Sequence, residues 1–221
     1  MTNKHDYTGA DAKQMTRLET LRVVKERCPL LWDRQKQCLA RDWMELTSVQ
    51  DPTLKMLLED NAFASGRGSY IGVNGPDPTD PKDNGDNART ILATNETLYG
   101  TEHARWVYGS LEGILARQEG TANVGILVAD GFYSVGDHNI ATTQTPFFRF
   151  AKQQAETIGQ FLLVINLVLR GSAGKSEEKA LADWCYFLAR KTGLPEFPET
   201  NLHIYRNKSS GMRMVLTRVL F

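Results

Sequence analysis

The sequence predicts an α+β fold that is mainly helical, and three observations carry that expectation. Apolar residues recur at helical spacing through the first third of the chain. A run of turn formers then interrupts it over residues 72–87, and the end of the chain alternates like a β-hairpin.

Residues 1–9 read as an arm. Over residues 10–27 the series Met15, Leu18, Leu21, Val24 and Cys28 keeps helical spacing, and Pro29 ends it. Residues 30–46 read as a second helix anchored by Trp32 and Trp43. Asp51 and Pro52 open a third, with Leu54, Leu57 and Leu58 on one side. Residues 1–71 are therefore expected to be an N-terminal helical region. Residues 72–87, almost all Gly, Pro, Asp, Asn or Thr, read as a loop or linker, and residues 88–221 as an α+β region.

In that second region, residues 102–118 read as a helix and residues 123–129 as a buried strand. A turn at Asp130-Gly131 leads to a hairpin partner over residues 132–135. Thr145 as N-cap and Pro146 at the first position start a long central helix, expected to run to Gly171. Its Val164-Ile165 pair would also suit a strand, but the helical spacing of Phe147, Ala151, Ile158, Phe161 and Ile165 outweighs it. A last helix covers residues 176–191, stopped by Gly193 and Pro195. The terminal hairpin pairs residues 202–206 with 212–220, grouping Leu202, Ile204, Met212, Met214 and Leu216 on one side.

The chain has 221 residues, 26 basic and 26 acidic, so its formal net charge is zero. A general polyanion binder with a wholly positive surface is excluded by that balance. Its three cysteines, Cys28, Cys38 and Cys185, form no CxxC motif and suit a reducing compartment. Residues 1–13 hold no apolar core of a secretory signal, and the longest apolar run, residues 161–169, is far short of a membrane span. The expected address is the cytoplasm, of a cell or of an infected host.

Candidate sites are sparse. Residues 171–176, Gly-Ser-Ala-Gly-Lys-Ser, resemble the tail of a phosphate-binding loop but lack its first glycine, and read instead as a helix connector. Asp77, Asp80, Asp83 and Asp86 suggest calcium, yet an EF-hand register puts Lys82 at a ligand position and Ile91 where the closing glutamate belongs. Local Asx turns explain the composition without a metal. His5, His103, His138 and His203 have no zinc spacing. No cofactor or metal is expected.

The basic terminal hairpin remains. Tyr205, Arg206, Lys208, Arg213 and His203 are the residues expected to contact a partner or nucleic acid, with Lys13 and Arg17 in support. The leading expectation is a non-catalytic interaction or assembly subunit of a larger complex, paired with a protein partner or with itself and not with a membrane. The alternatives are a nucleic-acid-binding subunit using the hairpin, and a hydrolase or transferase centred on Asp137 and His138, or on Cys185 and His203.

Overall fold

The structure, a computed structural model, describes residues 9–76, 82–134, 140–168, 177–194, 198–206 and 213–221. Helices α1 (Gly9–Arg27) and α2 (Pro52–Glu59) form where the spacing predicts them. Between them the predicted second helix is absent. Strands β1 (Trp32–Asp33) and β2 (Cys38–Leu39) make a small antiparallel ribbon, and β3 (Asp42–Leu46) follows. The reason is local: Asp33 Oδ1 accepts from the backbone N–H of Gln35 and Lys36, and Gln37 takes a left-handed φ of 53°. That Asx turn reverses the chain before a helix can propagate.

Residues 72–87 are also only partly loop, because β4 (Tyr70–Asn74) enters them and α3 (Asp86–Tyr99) leaves them. The expected helix over 102–118 divides at Gly109 into β5 (Ala104–Tyr108) and α4 (Leu111–Arg117), the latter capped by Ser110. Strand β6 (Val124–Ser134) continues through the predicted turn at Asp130-Gly131. Its pairing jumps from Ala129 to Tyr133 against two residues of its neighbour, so the supposed hairpin partner belongs to the same bulged strand.

The long central helix also divides. Helix α5 (Ile140–Ile158) starts before Pro146, and residues 162–168 form strand β7 (Leu162–Val168). Strand β7 is buried on both faces, so its unbroken apolar run matches a buried helix as well as a central strand. Helix α6 (Glu177–Thr192) and the hairpin β8 (Glu199–Arg206) and β9 (Arg213–Leu220) close the chain as predicted. The hairpin's register differs from the expected grouping by one residue: Leu202 pairs with Thr217 and Ile204 with Val215, while Met214 opposes Tyr205 and Leu216 opposes His203.

Strands β3 to β9 form one seven-stranded sheet in the order β5-β4-β3-β6-β7-β9-β8. Strands β3 to β7 are mutually parallel, and β9 runs antiparallel to both its neighbours, β7 and β8. The fold is therefore α/β and doubly wound, and the expectation of a mainly helical α+β protein is corrected. Residues on β3 and β7 alternate between two cores. Trp43, Leu162 and Val164 join one with α1 and α2, whereas Met44, Leu163 and Ile165 join the other with α4, α5 and α6. Among the described residues no helix is long and apolar enough to cross a membrane.

Candidate active site at the carboxyl edge of the sheet

In a doubly wound sheet, ligands bind outside the carboxyl ends of the strands where the strand order reverses. Here chain order runs outward from β3 in both directions, through β4 and β5 on one side and β6 and β7 on the other. The crevice therefore falls between the ends of β3 and β6.

Residues 47–51 lead from β3 into α2 and are held from behind by a buried polar cluster. Asp51 caps α2, its Oδ1 accepting from Thr53 N–H at 3.0 Å and Leu54 N–H at 2.9 Å. Its Oδ2 accepts from the Tyr70 hydroxyl at 2.5 Å and from the Thr47 hydroxyl. Asn95, reaching in from α3, donates to Thr47 Oγ1 at 3.0 Å and to the Ser48 carbonyl at 2.8 Å. Asp51 is fully buried, so four donors replace the water its carboxyl lost. The N-terminus of α2 is thus already filled by the chain's own carboxyl. Gln50 takes a left-handed φ of 55°, and Ser48, Val49 and Gln50 face solvent.

Glu45 lies deeper, beside a cavity of about 30 Å³ shared with Arg17, Thr20, Thr53 and Asn166. It accepts from Trp43 Nε1–H at 2.8 Å. Burial, and then the nearby Asp51 charge, push its carboxyl up to about 8. Burial likewise drives the Tyr70 hydroxyl well above its ordinary range.

The ends of β4 and β5 look different. A Cβ on Gly75 would lie 2.4 Å from the carbonyl carbon of Gly109, so here two backbones meet with no side chain between them. The Gly109 N–H donates to the Asn74 carbonyl at 3.0 Å, and Asn74 Nδ2 donates to the Thr47 carbonyl at 2.8 Å. These bonds link three adjacent strand ends. Beside them Tyr108 is 40% exposed, with the Arg89 guanidinium 4.5 Å from its ring centre. On the far side of the crevice the β6 bulge spans Asp130, Gly131 and Phe132.

The residues singled out in the sequence meet differing fates. Strand β8 carries His203, Tyr205 and Arg206, and Arg206 pairs with Arg213 at the connected end of the hairpin, a backbone placement at this same edge. Lys208, Asp137, His138 and residues 171–176 lie outside the described residues. Arg218, part of the same basic stretch, is 1% exposed, donating to Thr20 Oγ1 at 3.0 Å and to the Thr16 carbonyl at 3.1 Å. Burial lowers it to about 10. It braces α1 against the sheet and adds nothing to a surface. The Cys185 thiol is pushed up to about 11 by burial, which removes the thiolate a nucleophile needs. His103 stacks on Phe63 at 5.4 Å. In the acidic loop, Asp83 accepts from Gly85 N–H and Asn84 from Asp86 N–H, the Asx turns its composition predicts. No group of metal-ligating side chains occurs among the described residues.

The site residues that sequence reasoning missed are Thr47, Tyr70, Asn74, Gly75, Tyr108, Gly109 and Asp130. Asn74-Gly75 and Gly109-Ser110 were visible as turn signals, but only the parallel sheet brings them together.

No family model matches the sequence, and no curated protein matches it. Solved structures do match in shape. An O-methyltransferase from Bacillus cereus, in complex with SAH, superposes with a TM-score of 0.51 at 12% identity, over 98% of this chain and 84% of that one. The DszA carbon methyltransferase superposes with a TM-score of 0.53 at 14% identity, over 95% of this chain but 54% of its own length. The chain thus has a fold shared with methyltransferases. This overturns the expectation of a non-catalytic assembly subunit, which rested on the lack of a local catalytic motif, on the arm and loop segments and on the apolar terminal strand; in this architecture a site is assembled from the ends of separate strands.

Proposed function

We propose that the chain is a methyltransferase that uses S-adenosylmethionine, seated at the carboxyl edge of β4, β5 and β6. One observation carries this reading: a doubly wound sheet whose order reverses between β3 and β6, with β9 inserted antiparallel, in the arrangement shared with methyltransferases.

The residues present fit the nucleoside half of such a donor. Gly75 and Gly109 bring the ends of β4 and β5 backbone to backbone with no side chain of their own, and the 40% exposed Tyr108 ring, over which the Arg89 guanidinium lies, stands beside them as the aromatic surface for the adenine. Peptide groups there supply polar contacts without side-chain bulk. The α2 N-terminus, filled by Asp51, does not receive the donor's carboxylate. When bound, the donor supplies a methyl group on a positively charged sulfur. Asp130 is the acid that the β6 backbone carries at the switch point, and on that placement alone it is assigned the proton of the acceptor's nucleophile. The buried cluster around Asp51 keeps the β3–α2 turn in place, so the floor of the crevice does not shift.

A cytoplasmic address fits this reading. All three cysteines are unpaired, with Cys28 and Cys38 buried, as a reducing compartment permits.

The test is transfer of labelled methyl from S-adenosylmethionine to candidate acceptors, with donor binding measured alongside. Asp130→Asn is expected to lower turnover by about a hundredfold while donor affinity holds. Turnover unchanged in that variant would remove Asp130 from the mechanism. A wild-type chain that neither binds the donor nor transfers methyl would end the proposal.

A further inference from the structure

At the opposite, amino-terminal edge of the sheet lies a groove of about 610 Å³, within the size range of small-ligand sites. Its walls come from the β1–β2 ribbon, the entry to β3 and the segment before β4. Arg34, Arg41 and Arg67 line it, with Asp33 as the one lining acid. Three guanidinium groups against one carboxylate leave a positive cleft in a chain whose net charge is zero.

These arginines are only partly committed to the protein. Arg34 donates to the Glu26 carbonyl at 2.5 Å. Arg67 stands 3.9 Å from Asp33, at the outer limit of an ion pair, and its side chain is largely exposed. Arg41 donates through Nη1 to Asn123 Oδ1 at 3.1 Å, and its buried Nε has no hydrogen-bond partner. The Arg41 stem is set by close packing, since a Cβ on Gly125 would lie 2.7 Å from Arg41 Cβ. Gln35 adds an amide to the polar wall, and Leu30, nearly half exposed, forms the apolar one. A guanidinium presents a planar fork that matches phosphate oxygens, and several forks around one cleft select multiply charged oxyanions.

We infer that this groove is a second binding site, separate from the crevice at the carboxyl edge, and that it takes a phosphate group through Arg34, Arg41 and Arg67. A mononucleotide and one link of a phosphodiester chain share that chemistry. The two sites lie at opposite ends of β3, about 15 Å apart by strand length. A ligand held at one does not occupy the other.

The experiment is calorimetric titration of the full chain with pyrophosphate, UMP and a short oligouridine, repeated on Arg34→Glu/Arg67→Glu. Both positions are exposed, so the fold should survive, and circular dichroism checks it. Lys55→Glu, on the outer face of α2, is a charge-reversal control away from the groove. Pyrophosphate affinity is expected to fall at least ~tenfold in the double variant and to hold in the control. Tighter oligouridine than UMP, with a salt slope of about −0.7 per phosphate engaged, identifies the phosphodiester source, and equal binding identifies the mononucleotide. No pyrophosphate binding by the wild type, or equal binding by the double variant, overturns the inference.

Discussion

The two layers that sandwich the sheet are built on different principles. Beneath α4, α5 and α6 the core is mostly aromatic and aliphatic: Phe148 meets Trp184 and Phe221 edge-on, each at 5.7 Å, and Phe150 meets Phe161 at 5.7 Å. Beneath α1, α2 and α3 the apolar core is threaded with buried polar groups, Glu45, Asp51, Asn95, Thr16, Thr20 and Arg218 among them. Apolar packing is non-directional and supplies bulk stability. Hydrogen-bonded polar groups fix particular positions, because each is costly to leave unmade. The directional layer is the one that runs up to the β3–α2 turn at the candidate site. The chain thus has one side that holds the sheet together and another that sets the geometry of its edge.

Substitutions in the two layers should separate these roles. Phe148→Ala is expected to cost the most, about 4 kcal/mol in urea unfolding, because it opens a cavity among rings. Loss well under about 2 kcal/mol would mean that the layer repacks. Asp51→Ala should follow at about 3 kcal/mol, since it removes the α2 cap and strands the Tyr70 and Thr47 hydroxyls. Unlike Phe148→Ala, it should also weaken donor binding, which a simple loss of stability would not do at temperatures where both variants are folded.

Glu45→Gln acts through pH. With its folded-state carboxyl raised from 4.5 to about 8, Glu45 contributes stability that is fully present below about pH 4.5 and is lost as the pH climbs toward 8. The glutamine variant should show a flatter stability profile across that window, measured by urea midpoints at several pH values. An identical slope would place the titration elsewhere. Arg218→Met should have the smallest effect, about 1 kcal/mol or less, because Thr20 Oγ1 already donates to the Thr16 carbonyl at 2.8 Å and a flexible apolar chain can fill the space. A large loss would show that the charge itself is needed in the directional layer.

The same division explains what the sequence reveals. Helices α1, α2 and α6 and the terminal hairpin are legible because caps, stops and alternation act over a few neighbouring residues. The N-terminal half of α1 is misleading, however: Met15 and Leu18 keep the apolar spacing yet stay exposed, while Thr16 and Thr20 turn inward to meet Arg218. Strand β7 is ambiguous for a different reason. A central parallel strand buries both faces, so Leu162–Val168 has no alternation to display. Missing β7 and β3 hides the parallel sheet, and with it the site. Asn74 and Gly75 are distant in sequence from Tyr108 and Gly109 and become their neighbours only through strand order.

On the proposed reading the donor sits against the ends of β4 and β5, beside Gly75, Gly109 and Tyr108. Calorimetric titration with S-adenosylhomocysteine, on wild type and Tyr108→Ala, tests it most directly. Tyr108 is exposed and bears little of the core, so its loss should leave the fold intact. Saturable one-to-one binding, weakened about tenfold or more when the ring is removed, is the predicted result. Wild-type binding unchanged in Tyr108→Ala would move the donor off these strand ends, and no binding at all would rule out S-adenosylmethionine as the donor.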